Sequence, residues 1–224
     1  MNVFYLPTAQ LGIISFPEEE SKHIVKVLRM KEGDCFCVTD GKGSMFDAEL
    51  VDAHPKRATA NLTNQRNGYD IRDFKLSIAI APTKLNERTE WFLEKATEIG
   101  IDEVKLFASY HSERRVANVE RFKKIVVAAM KQSVKSKMPV VEDIVPFEKL
   151  VKQDFDGQKF IAWIDDDVKE QLCDLYKKSE NVMVLIGPEG DFSKEEVQLA
   201  KDNGFVPVSL GEARLRTETA AVVA

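Results

Sequence analysis

From Leu76 to Leu210 the chain repeats one pattern: a short unbroken apolar run, then a longer stretch whose apolar residues recur at helical spacing. Unbroken runs mark strands buried on both faces. Strands separated by helix-length segments cannot pair as hairpins, so the pattern commits the region to a parallel sheet covered by helices. The expected strands are Leu76–Ala81, Val104–Ala108, Val140–Val145, Phe160–Ile164, Val182–Ile186 and Val206–Leu210. Leu85, Phe92, Leu93, Ala96 and Ile99 keep helical spacing up to Gly100, which suits the left-handed position just past a helix end. Further helices are expected near 118–136, 168–178 and 194–203.

The first seventy or so residues follow a different rule. Short apolar runs at Asn2–Tyr5, Gly12–Phe16, Cys35–Thr39, Met45–Asp52 and Ala58–Leu62 are punctuated by turn signals such as Asp40-Gly41 and His54-Pro55. One helix interrupts them, from about Glu18 to Met30, with Ile24, Val27 and Leu28 on its apolar face. This reads as a small β-barrel with one helix, occupying residues 1–70. Asn67-Gly68-Tyr69-Asp70 forms the linker to an α/β domain at 73–224.

Two of the strand-to-helix connections are marked by glycine. Val182–Ile186 leads into Gly187-Pro188-Glu189-Gly190, and Ser193 with Glu196 then has the spacing of a capping box. Val206–Leu210 leads through Gly211 to Thr217-Glu218-Thr219 and an Ala/Val run. Such turns at the carboxyl ends of neighbouring parallel strands are where open α/β sheets bind ligands, although they also serve simply to reverse the chain. Neither has the spacing of a dinucleotide or triphosphate loop, and Pro188 between glycines suits close packing around a neutral or cationic ligand.

The chain has 224 residues and 44% apolar content, enough for two cores. Cys35, Cys37 and Cys173 have no disulfide or metal spacing, and neither do His23, His54 and His111. With no apolar stretch of membrane-spanning length and no signal-type N-terminus, a cytoplasmic protein with reduced thiols is expected. The formal charge of −5 is unevenly spread. His111–Lys137 holds eight basic residues against two acids, whereas Met138–Gly204 holds sixteen acids against eight lysines. Lys22, Lys26, Arg29 and Lys31 make a second basic cluster. A chain polarised in this way suits docking to a polyanion such as RNA, and a solvated basic helix is the plainer alternative.

L-I-G-P-E-G at 185–190, L-G-x-x-x-L-R-T-E-T-A at 210–220 and H-x-x-x-V-L-R-M-x-x-G-D at 23–34 together resemble the RsmE family, bacterial enzymes that methylate N3 of one uridine in 16S ribosomal RNA. Weaker echoes at Lys84, Glu94-Lys95, Glu98-Ile99-Gly100 and Ser112-Glu113-Arg114 extend the resemblance over nearly the whole chain. It implies a PUA-like RNA-binding barrel and a SPOUT-class domain whose C-terminal segment forms a trefoil knot around an S-adenosyl-L-methionine pocket. It also implies a homodimer acting on the small ribosomal subunit. Two departures stand out. The family's usual E-Q-S is Lys131-Gln132-Ser133 here, and the chain ends at Ala224, within what should be the first turns of the final helix.

On that resemblance Leu185, Gly187, Pro188, Glu189, Gly190, Leu210, Gly211, Leu215, Thr217 and Thr219 are the expected cofactor contacts, Glu189 as a loop-shaping residue. Uracil N3 carries a proton, so methylation needs a group to take it and a group to stabilise the resulting anion. Glu218 and Arg216 are the candidates, with helix capping and favourable helix-dipole placement the competing role for Glu218. Lys22, Lys26, Arg29, Arg114, Arg115, Lys123 and Lys124 are the expected RNA contacts, surface ion pairing being the competing role. The alternatives are a SPOUT methyltransferase acting elsewhere, for example on a tRNA ribose hydroxyl, and a non-catalytic RNA-binding assembly factor.

Overall fold

The computed structural model describes residues 2–69, 71–165 and 168–224, so Asp70 of the expected linker lies outside the described residues. Strands β1 (Val3–Tyr5), β2 (Gly12–Ser15), β3 (Cys35–Thr39), β4 (Ser44–Asp52) and β5 (Thr59–Asn67) form one sheet in the order β1-β3-β4-β5-β2. Of these neighbours, only β1 and β3 run parallel. The sheet packs on a main apolar cluster in which Phe4, Phe16 and Phe36 meet edge-on or tilted, with centroids 5.0 to 5.9 Å apart, and Val3, Cys37 and Met45 form a smaller second cluster. Helix α1 (Glu18–Lys22) is fixed to the sheet by Ser21, whose hydroxyl donates to the Phe16 carbonyl and accepts from the Ala58 amide.

This helix does not run regularly to Met30. His23–Val27 is a π turn, in which the Leu28 amide bonds back to the His23 carbonyl, and Arg29 then takes a left-handed φ of 54°. The extra residue per turn rotates the succeeding side chains off the buried face. Ile24 stays in the core while Val27 and Leu28, expected beside it, are exposed.

The segment Val127–Met138 clusters with the barrel, giving one unit of Met1–Ile71 with Val127–Met138 and another of Arg72–Val126 with Pro139–Ala224. Long-range polar contacts account for this: Thr39 Oγ1 and the Gly43 amide both donate to the Ser136 carbonyl, and Lys131 Nζ lies 2.8 Å from Glu20 Oε1. The lysine at 131 therefore has an acidic partner of its own.

Among the described residues the second unit contains seven strands, all parallel. They are β6 (Leu76–Ile80), β7 (Glu103–Ala108), β8 (Val140–Val141), β9 (Val145–Pro146), β10 (Gln158–Ala162), β11 (Val182–Ile186) and β12 (Val206–Val208). Their order is β12-β10-β11-β6-β7-β8, with β9 also on β7. Val140–Val145 is thus two short strands rather than one, broken where Glu142 turns to meet Lys105 Nζ at 2.8 Å. β10 sits two residues earlier than expected and leaves Ile164 exposed, and β12 ends at Val208.

Helices α2 (Asn86–Ile99), α3 (Val119–Gln132), α4 (Phe147–Val151), α5 (Leu172–Leu175), α6 (Lys194–Asp202) and α7 (Thr217–Val223) fill the connections. Only four residues of the expected 168–178 helix form, and α4, which follows Pro146, had no expected counterpart. Under one face, Phe107, Phe147 and Phe192 pack with centroids 5.4 to 6.0 Å apart. Among the described residues no helix is long and apolar enough to cross a membrane.

Gly100 ends α2 at φ 113°, ψ 45°, with its amide on the Ala96 carbonyl. An L-residue there meets the left-handed penalty of about 1–2 kcal/mol. Gly100→Ala should lower the urea midpoint correspondingly at unchanged m-value, and an unaltered midpoint would show that the left-handed stop is not needed.

Candidate active site

Because β6, β11, β10 and β12 are adjacent and parallel, their carboxyl ends deliver four loops to one edge of the sheet. Side chains then lock these loops together. Glu189 accepts the Lys84 amide at 3.0 Å, joining the β11 loop to the β6 loop. Arg114 directs its guanidinium onto the Thr83 and Lys84 carbonyls at 2.7 to 3.3 Å. Glu196 completes the expected capping box with Ser193 and also accepts from Ser109 Oγ and the Tyr110 amide, tying α6 to the end of β7.

Asp191 is the least expected member. It takes a left-handed φ of 60°, and its carboxylate accepts from its neighbour Phe192 and from the Ile164 amide, so it bridges the β11 and β10 loops. Burial raises its pKa above the usual aspartate range, against the opposing effect of the two amide donors, His111 and Arg214. Nothing in the G-P-E-G-D-F string marks it, since the bond to Ile164 joins segments far apart in sequence.

The glycines have distinct jobs. A Cβ on Gly190 would come within 3.0 Å of His111 Cβ, and one on Gly187 within 3.1 Å of the Phe192 ring, so both permit close packing. Gly211 has φ 115° and open space where a Cβ would point, so it serves the backbone turn and leaves room beside it.

Beyond Gly211 the chain lines a cleft of about 570 Å³ whose walls include Arg88 and Trp91 of α2, Arg214 and Arg216 of the loop, and Glu218 and Thr219 of α7. The buried Glu218 has Oε1 3.7 Å from Arg88 Nε, while its buried Oε2 has no hydrogen-bond partner among the described residues. Arg216 occupies the N-cap of α7 without a side-chain cap and is exposed. Glu218 makes no side-chain cap, yet it lies in the first turn of α7, where a carboxylate is favoured by the helix dipole, so that alternative role stands beside the catalytic one; the two candidate catalytic residues share one cleft. Arg214, on the same wall, is also felt by Asp191, which links the cleft to the β11 loop.

The remaining expected residues divide. Gly187, Glu189, Gly190, Leu210, Gly211, Leu215 and Thr219 retain exposed or half-buried surface in these loops. Leu185 is completely buried in the core between β10 and β6, and Pro188 and Thr217 are buried too, so Leu185 presents no side chain to an open site. Arg115 Nη2 donates to the Tyr110 carbonyl, Lys123 pairs with Glu120, and Lys22 pairs with Glu18. Lys26, Arg29 and Lys124 are exposed. Arg88 and Trp91 were missed because helical spacing marks only the buried face of α2, and both lie off it. Among the described residues no cluster of three or more metal-ligating side chains occurs.

A parallel sheet with glycine loops at its carboxyl edge is the architecture in which α/β proteins bind small molecules, and here it is joined to a separate small β unit. Residues 71–224 match the RNA methyltransferase domain family and residues 16–63 the RNA methyltransferase PUA domain family. The chain belongs to this RNA methyltransferase family. It is 27% identical to the ribosomal RNA small subunit methyltransferase E of Bacillus subtilis, over 94% of this chain and 87% of that one. Among solved structures, a probable rRNA-methyltransferase from Porphyromonas gingivalis is 43% identical with a TM-score of 0.92, covering 100% of this chain and 94% of its own. The ribosomal RNA small subunit methyltransferase E of Neisseria gonorrhoeae, solved bound to S-adenosyl methionine, is 27% identical with a TM-score of 0.90 over 99% and 94%.

The raised pKa of Asp191 has a checkable sign. A carboxyl whose folded pKa exceeds its unfolded value contributes stability that is full below the unfolded value, about 3.9, and lost as pH rises through the folded one. Asp191→Asn should therefore gain on wild type in unfolding free energy as pH rises from about 3 toward neutrality. A difference independent of pH would show that burial does not act on this carboxyl.

Proposed function

We propose that this chain is an S-adenosyl-L-methionine-dependent methyltransferase that methylates N3 of a uridine in 16S rRNA of the small ribosomal subunit. The observation that carries the reading is the cleft lined by both Arg216 and Glu218, the latter with its Oε2 unpartnered, in the segment that follows Gly211. The names of the relatives and the S-adenosyl methionine bound in the Neisseria enzyme supply the cofactor and the RNA.

The residues present fit such a cofactor. The close-packed Gly187 and Gly190 keep the β11 loop narrow, and open space lies beside Gly211, whose own amide and carbonyl are held by the Ser209 hydroxyl. Gly187, Glu189, Gly190, Leu210, Gly211, Leu215 and Thr219 would hold it, through loop amides, carbonyls and apolar contact. When bound, it supplies an electrophilic methyl on a sulfonium.

The protein must align acceptor and methyl, exclude water and manage one proton. Glu218 Oε2 accepts the proton as the N3–H bond breaks, and Arg216 stabilises the charge that spreads onto the base oxygens. The electron pair left on N3 bonds to the methyl carbon while the carbon–sulfur pair stays on sulfur, and Glu218 afterwards releases its proton to solvent.

The finer architecture belongs to the same proposal. Residues 1–70 form an RNA-binding domain and 73–224 the catalytic one, with Lys22, Lys26, Arg29, Arg115, Lys123 and Lys124 meeting phosphate and Arg114 holding the β6 loop that the RNA approaches. The chain end is threaded as a trefoil knot. What supports this is that the chain leaves central β11, passes beyond β10 to edge strand β12, and returns so that α7 packs on β6, β11 and α2. The protein works as a homodimer in the cytoplasm.

Arg216→Ala should reduce turnover on small-subunit rRNA by about 10²- to 10³-fold, the usual loss for one transition-state donor. The calorimetric Kd for S-adenosyl-L-methionine should stay as in wild type. Unreduced turnover would remove Arg216 from the mechanism.

A further inference from the structure

Four residues lining the cleft have no part in the chemistry just described: Glu87, Arg88 and Trp91 of α2 and Arg214 of the loop. Arg88 and Trp91 lie three positions apart on α2, hence on one helix face, and both open onto the cleft opposite Arg216 and Glu218. Trp91 is 43% exposed, which leaves much of a large flat ring uncovered at the cleft wall. Glu218, by contrast, is only 8% exposed, and its two oxygens differ. Oε1 faces the Arg88 guanidinium at 3.7 Å, and Oε2 is buried without a donor among the described residues. A buried carboxylate oxygen left unpaired costs free energy, so the arrangement is complete only when a donor arrives from outside.

The walls specify that donor. An exposed indole offers a stacking surface that every nucleobase can use, worth about 1–3 kcal/mol per base. Arg216, which has no side-chain partner among the described residues, brings donors for carbonyl oxygens. An acceptor and donors lining one cleft match a ring N–H flanked by carbonyls. They disfavour cytosine, whose bare ring nitrogen would face the carboxylate. A base can present that edge only when taken out of its stack.

We propose that Trp91 and Arg88 build the acceptor-base subsite of this enzyme: Trp91 stacks on the extruded base, and Arg88 holds Glu218 Oε1 so that Oε2 receives the base N–H. The subsite deepens the function proposed above and rests on it for the fate of the base. Arg88 is a positioning residue, since it acts through Glu218.

The chain has two tryptophans, so Trp163→Phe leaves Trp91 as the single emitter. In that background, with S-adenosylhomocysteine present, single-stranded oligouridylate should quench tryptophan emission, and oligocytidylate should do so less at equal occupancy. Arg88→Ala should weaken oligouridylate binding about tenfold, the loss expected when one charged contact no longer orders its partner, and Arg88→Lys should recover part of it. Trp91→Phe, which keeps a ring, should bind more tightly than Trp91→Ala, with the cofactor Kd the same in all variants.

No quench where filter binding shows the RNA bound, or equal quenching by oligocytidylate, would overturn the proposal. So would an Arg88→Lys variant as weak as Arg88→Ala. A wild-type protein that shows the quench and the Arg88 pattern yet transfers no methyl group would keep the subsite and sink the reaction assigned to it.

Discussion

The uniform direction of seven strands is the constraint on which the rest depends. Parallel pairing requires every connection to cross from one end of the sheet to the other, so the loops that follow β6, β11, β10 and β12 emerge together. Loops gathered in this way carry many backbone groups and little secondary structure to satisfy them. The protein meets that need with side chains reaching between loops: Glu189 to Lys84, Arg114 to Thr83 and Lys84, Asp191 to Ile164, Glu196 to Tyr110. Each places an acceptor or donor from one connection on the backbone of another. Rigidity at the carboxyl edge is thus built from pairwise charge-assisted contacts, anchored below by the Phe107–Phe147–Phe192 cluster.

Against that ordered edge, the cleft between α2 and the last loop holds a buried polar atom without a hydrogen-bond partner among the described residues, as Glu20, Arg66 and Glu90 do elsewhere. Glu218 is deeply buried with one oxygen unpaired, and Arg216 is exposed and uncapped at the start of α7. Native structures leave few buried polar atoms without partners, so each one that persists calls for an explanation, a catalytic role among them. The chain belongs to the RNA methyltransferase family, and under the function proposed above that unpaired oxygen is the acceptor for a uracil N–H.

Much of this was legible in the sequence, and the reasons for the exceptions are physical. Apolar runs located β6, β7 and β11 because burial on both faces leaves a clear signal, whereas half-buried β10 was placed two residues late, and the Ser193–Glu196 spacing named its capping box. Val27 and Leu28 were misplaced because a π turn shifts the helical phase and helical spacing assumes it constant. The attachment of Val127–Met138 to the barrel rests on contacts such as Thr39 to Ser136, which no local pattern reports. The motif located Arg216 and Glu218, but Arg88, Trp91 and Asp191 enter the site through tertiary placement alone. Leu185, carried by the same motif, proves to be a core residue.

The most direct test is to incubate the protein with methyl-labelled S-adenosyl-L-methionine and small ribosomal subunits lacking the modification, then digest the rRNA and resolve its nucleosides by mass spectrometry. The predicted result is label in 3-methyluridine from 16S rRNA. Label in a ribose-methylated nucleoside, or none from protein shown to bind the cofactor, would contradict the assigned reaction.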